Sequence, residues 1–383
     1  MTPIEMLERL VAFDTTSSKS NLELIGFVCD YLAGLSIEPR LVHNEDRSKA
    51  NLWATIGPDD KPGVVLSGHT DVVPVAGQPW TSDPFDLTER DERFHGRGTA
   101  DMKAFLAIVL CELPGFIARR PLRPIHIAFS YDEEVGCLGV RRLLDEIPMD
   151  ATAPAFAVIG EPTDLKLANT HKGIRVLRTH VTGRDAHSSA PHLGCSAISA
   201  AVRIVDFLDH LAAEKRSNAD TSLPFEPPFT TLNVGIIEGG TAYNIIPREC
   251  RFGWEYRPLP GDDPAEIRER LDAFIHDELI GPAGGALEVS LEEIADVPPL
   301  KAEPGADSAV SFLQSLLGDA SIPQGMAFAT EAGLFQAAGV PAVVCGPGSI
   351  DQAHRPDEFI TGEQLQRGTR FVRDLCARVA SWE

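Results

Sequence analysis

Four short apolar runs, each closed by a glycine or a charged residue, constrain this chain more than any other feature of its sequence. The runs are rich in β-branched residues and occupy residues 64–66, 125–129, 156–159 and 343–345. Short runs of this kind are typical of buried strands. In open α/β sheets, functional groups gather in the crevice beyond the carboxyl ends of the strands, where residues far apart in sequence can meet. The sequence therefore predicts an α/β sheet with a functional site at one edge.

The composition is typical of a globular protein and excludes one class of partner. The chain has 383 residues, which suggests two domains, and it is 43% apolar and 23% charged. Its formal net charge of −22 would repel a polyanion, so nucleic acid is not an expected partner. The same charge weakly favours cationic small substrates, although a solvated acidic surface is its more common meaning.

The cysteines and the N-terminal residues indicate the cellular compartment that we expect. Seven cysteines are scattered along the chain without a CxxC pair, so neither a disulfide framework nor a thiolate zinc site is expected. The first nine residues lack the basic start and apolar core of a signal peptide, and no long uncharged stretch follows. We therefore expect a cytoplasmic protein without a membrane partner.

Side chains that can bind metal ions follow apolar runs or glycine turns, as expected for a two-metal hydrolase. They are His69, Asp101, Glu134, Glu161 and His354. Imidazole and carboxylate donors without thiolate suit Zn²⁺ first, with Co²⁺ or Mn²⁺ also possible. If Asp101 bridges two ions, each ion has one histidine, one further carboxylate and the shared aspartate, with room for a bridging water. Capping of the following helix is the alternative role for Asp101.

Two further acids have the spacing of supporting groups. Asp71 stands two residues after His69 and can orient its imidazole, although a His-x-Asp pair is often only structural. Glu133 and Glu134 are adjacent beyond a buried strand, where two like charges are costly unless a cation or a proton neutralises one. This pair favours one ligand and one general base. Glu133 would take the proton of the water and pass it to the leaving nitrogen.

The rhythm of the predicted elements divides the chain into three parts. Helix and strand patterns alternate over residues 1–173 and again over 295–383, which predicts a doubly wound, mixed-sheet α/β catalytic domain. Residues 174–294 follow the order β-α-β-β-α-β, which matches a ferredoxin-like α+β sandwich. If His354 must meet His69, the catalytic domain is discontinuous and the middle domain is an insertion.

The ordered set of residues from Ser67 to Phe359 resembles peptidase family M20, a family of dinuclear-zinc peptidases and deacylases. The resemblance implies the same residue roles as the reasoning above. One ion would be bound by His69 and Glu161 and the other by Glu134 and His354, with Asp101 bridging, Asp71 orienting His69 and Glu133 acting as base. Each short motif is weak alone, but the ordered set is specific.

The resemblance also implies that the inserted domain is a lid that joins two subunits. His187, in the segment 185–189, is similar to the lid histidine that stabilises the oxyanion in a neighbouring subunit's site. Asn244 and Arg257 are similar to lid residues that bind substrate, and a guanidinium can pair with a carboxylate. Structural roles at strand ends are the alternative for both. A homodimer through the inserted domain is therefore expected.

Three segments resemble the members of this family that act on N²-acetyl-L-ornithine. They are residues 171–173, 330–333 and 345–358. Glu331 could pair with the ammonium of such a substrate, or it could simply stabilise a helix N-terminus. The resemblance thus implies hydrolysis of N²-acetyl-L-ornithine to L-ornithine and acetate, a step of arginine biosynthesis.

Other functions remain open at this point. The metal chemistry would equally serve another N-acyl-L-amino acid deacylase, such as succinyl-diaminopimelate desuccinylase, or an M20 dipeptidase or carboxypeptidase. A metal-binding scaffold without activity is a further alternative. The presence of Glu133 beside all five candidate ligands argues against it, because binding alone needs no base.

Overall fold

A computed structural model describes residues 1–147 and 152–382 of the chain. The α-helices are α1 (Pro3–Val11), α2 (Leu22–Gly34), α3 (Lys103–Ala118), α4 (Leu138–Leu144), α5 (Ala197–Ser217), α6 (Glu266–Phe274), α7 (Gly281–Ala283), α8 (Asp307–Leu317), α9 (Ala332–Ala337) and α10 (Gly362–Ala380). The strands are β1 (Arg40–His43), β2 (Ala50–Ile56), β3 (Val64–His69), β4 (Thr88–Arg90), β5 (Arg93–His95), β6 (Ile125–Ser130), β7 (Phe156–Ile159), β8 (Ala168–His171), β9 (Ile174–Thr182), β10 (Thr231–Gly239), β11 (Glu249–Arg257), β12 (Glu288–Val297), β13 (Gln324–Met326), β14 (Ala342–Val344) and β15 (Phe359–Thr361).

The first of two compact units comprises the described parts of Met1–Thr170, Leu300–Gln324 and Thr330–Glu383. Its mixed sheet has the strand order β1-β2-β6-β3-β7-β14-β8-β13. The central strands β6, β3, β7 and β14 are parallel to one another, while β2 runs antiparallel to β6 and β8 runs antiparallel to β14. Strands β3, β6 and β7 are buried along their whole length, as expected for parallel strands covered on both faces. Their carboxyl ends share one edge, and this edge carries the candidate site.

The second unit comprises His171–Pro299 and Gly325–Ala329. Its antiparallel sheet has the order β10-β11-β9-β12, and the element order β9-α5-β10-β11-α6-β12 is that of a ferredoxin-like sandwich. A core of its own includes Leu177, Ile204, Trp254 and Leu271. The predicted fold class, a doubly wound mixed-sheet domain interrupted in sequence by a ferredoxin-like α+β domain, is therefore confirmed.

The observed units differ in detail from the predicted limits of 174 and 294. The second unit also takes in residues 171–173, 295–299 and 325–329. The last of these segments joins it through Met326, whose carbonyl accepts a hydrogen bond from the Lys172 backbone N–H at 3.0 Å. The proposed lid and dimerisation roles of this unit stay predictions.

Two expectations from composition can be compared with the structure. All seven cysteines are free thiols within the described chain. Across residues 1–147 and 152–382, no helix combines the length and the apolar character needed to cross a membrane.

Candidate active site

Each candidate metal ligand lies where a strand or a loop reaches the carboxyl edge of the first unit's sheet. His69 is the last residue of β3, and Glu161 stands two residues beyond β7. Glu134 lies in the loop after β6, and Asp101 precedes α3. His354 comes from a loop before β15 with a backbone φ of +63°. The sheet therefore brings residues from both ends of the first unit together.

The five side chains form two groups that share Asp101. His69, Asp101 and Glu161 offer one set of ligand atoms, and Asp101, Glu134 and His354 offer the other, with the atoms of each set within 4.8 Å of one another. The Asp101 carboxylate divides its oxygens between the groups. Its Oδ1 lies 3.0 Å from His69 Nε2, and its Oδ2 lies 3.4 Å from His354 Nε2. This is the arrangement expected of a carboxylate shared by two cations.

The remaining distances complete the two groups. Glu134 Oε2 lies 2.9 Å from His354 Nε2, and Glu161 Oε1 lies 4.0 Å from His69 Nε2. His69 and Glu161 are buried, whereas the side chain of His354 is 55% exposed. One group is thus enclosed and the other opens towards solvent.

The electrostatics of the cluster fit divalent cations. Burial, reinforced by the charge of Asp101, raises the pKa of Glu134 to about 7 and that of Glu161 well above its ordinary value. Glu161 Oε1 is buried without a hydrogen-bond partner among the described residues. Hydrogen bonds to Asp101 and Glu134 raise the pKa of His354 to about 10. Crowded carboxylates of this kind need counter-charge, and metal binding would supply it with the release of protons.

Asp71 contacts the cluster through both its backbone carbonyl and its carboxylate. His69 Nδ1 lies 2.9 Å from the backbone carbonyl of Asp71, while the nearer carboxylate oxygen is 3.7 Å away. A carbonyl only accepts, so Nδ1 carries the proton and Nε2 faces the ligand cluster. The carboxylate of Asp71 instead accepts hydrogen bonds from the backbone N–H groups of Glu133 (3.0 Å) and Glu134 (3.3 Å). The role of the Asp71 carboxylate in orienting His69 stays a prediction.

Glu133 lies beside the candidate ligands and accepts a hydrogen bond from a neighbouring thiol. The thiol of Cys137 donates to its Oε1 at 3.3 Å. Burial raises the pKa of Glu133 well above its ordinary value, although the charge of His69 opposes this. The neighbouring carboxylates of Glu134 and Glu331 raise it further. A carboxylate with such high proton affinity is chemically suited to accept a proton and return it.

Glu331 precedes α9 and is 1% exposed. The hydroxyl of Ser67 donates to its Oε2 at 3.2 Å, and its Oε1 has no partner in the described part of the chain. Burial raises the pKa of Glu331 to about 7. Its pairing with a substrate ammonium stays a prediction, since the structure shows a buried side chain with one unused acceptor.

The three residues predicted to act from the lid all lie in the second unit. His187 is exposed and forms an isolated β-bridge with Ile245. The backbone carbonyl of Asn244 accepts from Ser188 N at 3.0 Å, so His187 and Asn244 occupy neighbouring segments. Arg257 ends β11 and donates to Glu255 Oε1 at 3.0 Å. The roles of His187, Asn244 and Arg257 towards the cluster stay predictions.

Several contributing residues were missed by sequence reasoning. The hydroxyl of Ser17 donates to Asp71 Oδ2 at 2.7 Å. Glu358 is buried against the loop that carries Asp101, together with the guanidinium of Arg97. Arg97 lies between two glycines, and a charged residue in such a turn was a signal that sequence reasoning could have used. No comparable signal singled out Ser17.

Paired histidine–carboxylate groups with a further carboxylate beside them, at the carboxyl edge of a mixed sheet, are the groups that a metal-dependent amidohydrolase uses. The sequence matches Peptidase family M20/M25/M40 over residues 65–378. This chain belongs to that family.

Relatives extend the match over nearly the whole chain. An acetylornithine deacetylase of Pasteurella multocida (strain Pm70) is 36% identical over 97% of this chain and 96% of its own. An acetylornithine deacetylase of Myxococcus xanthus is 36% identical over 94% of this chain and 93% of its own.

Solved structures share the fold at lower identity. An M20 family metallo-carboxypeptidase from Sulfolobus solfataricus has a TM-score of 0.78 and 17% identity, covering 99% of both chains. A dinuclear metal-binding M20 peptidase from Bacillus subtilis has a TM-score of 0.68 and 16% identity, covering 99% of this chain and 97% of its own. At these identities the likeness shows the fold alone.

Proposed function

We propose that this chain hydrolyses N²-acetyl-L-ornithine to L-ornithine and acetate. The observation that carries the proposal is the 36% identity, over 97% of the chain, to a relative named acetylornithine deacetylase. The site supports the reaction class, because it joins two candidate metal groups to a carboxylate base. By extension, we propose a cytoplasmic enzyme of arginine biosynthesis.

The residues of the chain would divide the work as follows. His69, Asp101 and Glu161 would hold one divalent cation, and Asp101, Glu134 and His354 the other. When bound, the cations would lower the pKa of a shared water and polarise the amide carbonyl.

Glu133 supplies the proton transfers of the proposed reaction. Its carboxylate would take a proton from the attacking water and deliver it to the nitrogen that leaves as the amine of ornithine. The Asp71 carboxylate holds the backbone of Glu133 in place for this transfer. Acetate and the free amine are then the two products.

Three further features belong to the same proposal. Zn²⁺ is the proposed metal, with Co²⁺ or Mn²⁺ as substitutes, because the donors are imidazole and carboxylate without thiolate. We propose a homodimer through the second unit, in which His187 stabilises the oxyanion of the partner's site. Asn244, Arg257 and Glu331 would bind the substrate.

The test is a comparison of amide substrates with metal-free and reconstituted protein. Release of acetate and amine would be measured with the chelated chain and after addition of Zn²⁺ or Co²⁺. The substrates would be N²-acetylornithine, N-succinyl-diaminopimelate, other N-acetyl amino acids and dipeptides. We expect metal-dependent turnover with the highest kcat/KM for N²-acetylornithine.

Other outcomes would overturn different parts of the proposal. A higher kcat/KM for another acyl amino acid would remove the substrate assignment and leave the amidohydrolase chemistry in place. Preferential cleavage of dipeptides would replace the deacetylase with a peptidase. No turnover of any substrate by protein with two bound metals would contradict the proposed reaction altogether.

A further inference from the structure

Glu358 is a fully buried acid whose contacts all lead to the loop that carries Asp101. It is 1% exposed, as is the side chain of Arg97 beside it. Its Oε2 accepts from Arg97 Nη1 at 2.7 Å and from Gly98 N at 3.0 Å. Its Oε1 accepts from Ala100 N at 2.8 Å and from Asp101 N at 3.0 Å. Two oxygens thus hold four donors, three of them backbone N–H groups of one short loop.

The same network reaches the segment that carries His354. Arg97 Nη1 donates to the carbonyl of Arg355 at 3.3 Å, and Arg97 Nη2 donates to Gln78 Oε1 at 2.6 Å. Gln78 Nε2 in turn donates to the backbone carbonyl of His354 at 2.9 Å. The backbones of two candidate ligands are therefore tied to one buried ion pair.

We propose that Arg97, Glu358 and Gln78 are positioning residues. They hold the backbones of Asp101 and His354 at a fixed relative position, so that Asp101 can be shared by two cations. The inference rests on the proposed metal site. The two Asp101 oxygens face different histidine nitrogens, at 3.0 and 3.4 Å. A small rotation of the loop would therefore move one oxygen away from its histidine. A buried ion pair with every oxygen satisfied resists such a rotation, because breaking it leaves an uncompensated charge.

Glu358→Gln is the direct test. The side chain keeps its shape, but its NH₂ group now faces backbone N–H donors that need an acceptor. Outer partners of metal ligands typically contribute about 10- to 100-fold in metal affinity or activity. We expect the dissociation constant of the second Co²⁺ ion to rise about tenfold or more, with the first changed less.

Gln78→Leu provides a second variant that does not remove a buried charge. Gln78 is only partly buried, so its replacement should leave folding intact while cutting the link between Arg97 and the His354 backbone. We expect weaker binding of the second ion and an unchanged first. The matched control is Glu112→Gln, which breaks the 2.8 Å pair with Arg373 between α3 and α10 in the same unit.

Metal-free full-length protein would be titrated with Co²⁺ alone, with visible absorbance and electron paramagnetic resonance as readouts. In the wild type, the two bound Co²⁺ ions should be magnetically coupled through the shared carboxylate. Loss of coupling in Glu358→Gln, with control-like spectra in Glu112→Gln, is the expected result. Thermal unfolding of each variant identifies a chain that has simply misfolded, in which case Gln78→Leu decides.

The Co²⁺ titration contains no substrate, so its result is independent of the proposed activity. If both variants bind two coupled ions with wild-type affinity, the inference is wrong and the proposed function stands. If the wild type binds two coupled ions and the variants do not, yet the wild type does not deacetylate N²-acetylornithine, the inference stands and the proposed function is wrong. If the wild type cannot bind two ions, both the inference and the proposed function are wrong.

Discussion

Asp71 serves two neighbouring groups through different atoms. Its backbone carbonyl faces Nδ1 of His69, and its carboxylate receives the N–H groups of Glu133 and Glu134. Ser17 adds a third donor to the same carboxylate. A charged acceptor with three donors fixes the loop that holds both the candidate base and a candidate ligand. Sequence spacing alone suggested only the contact with His69.

Asp71→Asn should therefore impair the Glu133–Glu134 loop more than the orientation of His69. The amide can accept from one N–H, but its NH₂ group opposes the other. Loss of such a supporting contact typically lowers activity about 10- to 100-fold. Steady-state kinetics with metal analysis would check this, with Ser17→Ala as a milder comparison. Wild-type kcat in Asp71→Asn would contradict the proposed support of the loop.

Glu133→Gln should separate chemistry from metal binding. The substitution keeps the side-chain shape but cannot take a proton, so kcat should fall by about 10²- to 10⁴-fold. Metal content should remain that of the wild type, because Glu133 lies outside both ligand groups. Asp101→Ala, which removes the shared carboxylate, should lose metal as well. Full turnover by Glu133→Gln would exclude Glu133 as the base.

The pairing of β2 with β6 buries an imidazole inside the first unit. Thr55 lies opposite His126 in the strand register, and its Oγ1 is 3.0 Å from His126 Nδ1. The ring stacks on Trp53 with centroids 4.9 Å apart, and Nε2 has no partner among the residues described. Burial lowers the pKa of His126 to about 4, so the ring is neutral in the folded sheet.

This histidine should make the fold sensitive to acid. The unfolded chain, with a pKa near 6.5, binds the proton first as the pH falls, so the folded state loses stability between about pH 6.5 and 4. Above that window the stability contributed by the neutral ring is complete. The loss would be on the order of 3 kcal/mol.

His126→Phe keeps an aromatic ring on Trp53 and removes the titration. Urea unfolding of both proteins from pH 7.5 to 4.5, with chelator present to exclude effects of metal release, would measure the difference. The free energy of unfolding should fall less steeply with acid in the variant. Parallel pH curves for the two proteins would show that His126 does not contribute.

Strands with an apolar run and elements with a strong pattern could be predicted from sequence, but some three-residue strands could not. Helix α10 begins with a capping box between Thr361 and Gln364, which is a local sequence signal. Strands β4, β5, β13 and β15 have three residues each, and their sequences carry no period. Their formation depends on pairing with distant segments, such as β15 with β5. The local sequence cannot encode that pairing.

The same distinction applies to the site. The candidate ligands were predictable because strand ends converge at one edge of a parallel sheet. The contacts of Glu358 were not, because its partners at residues 97–101 lie far away in sequence and three of the four are backbone N–H groups with no residue signature. Sequence thus identifies which groups can do chemistry more readily than the groups that hold them in place.

The proposed sharing of His187 between subunits can be tested by mixing inactive chains. A His187→Ala chain retains its own Glu133, and a Glu133→Ala chain retains its own His187. If His187 acts in the partner's site, mixed dimers should regain activity, because one of their two sites has every group intact. The activity of mixtures refolded or exchanged together would be compared with that of each chain alone. Persistent inactivity, with mixed dimers demonstrated by mass, would place His187 in its own subunit's site or outside it.

Because the second unit interrupts the first in sequence, the candidate ligands are synthesised at different times. Four candidate ligands precede the second unit, and His354 follows it. During translation, His354 is therefore added only after the second unit has been synthesised. At ribosomal rates of about 5–20 residues per second, the roughly 190 residues between Glu161 and His354 take about 10 to 40 s. The nascent chain then contains all three residues of one candidate group but lacks His354 of the other. On the proposed ligand assignment, the second cation has its full set of ligands only after the second unit has been synthesised.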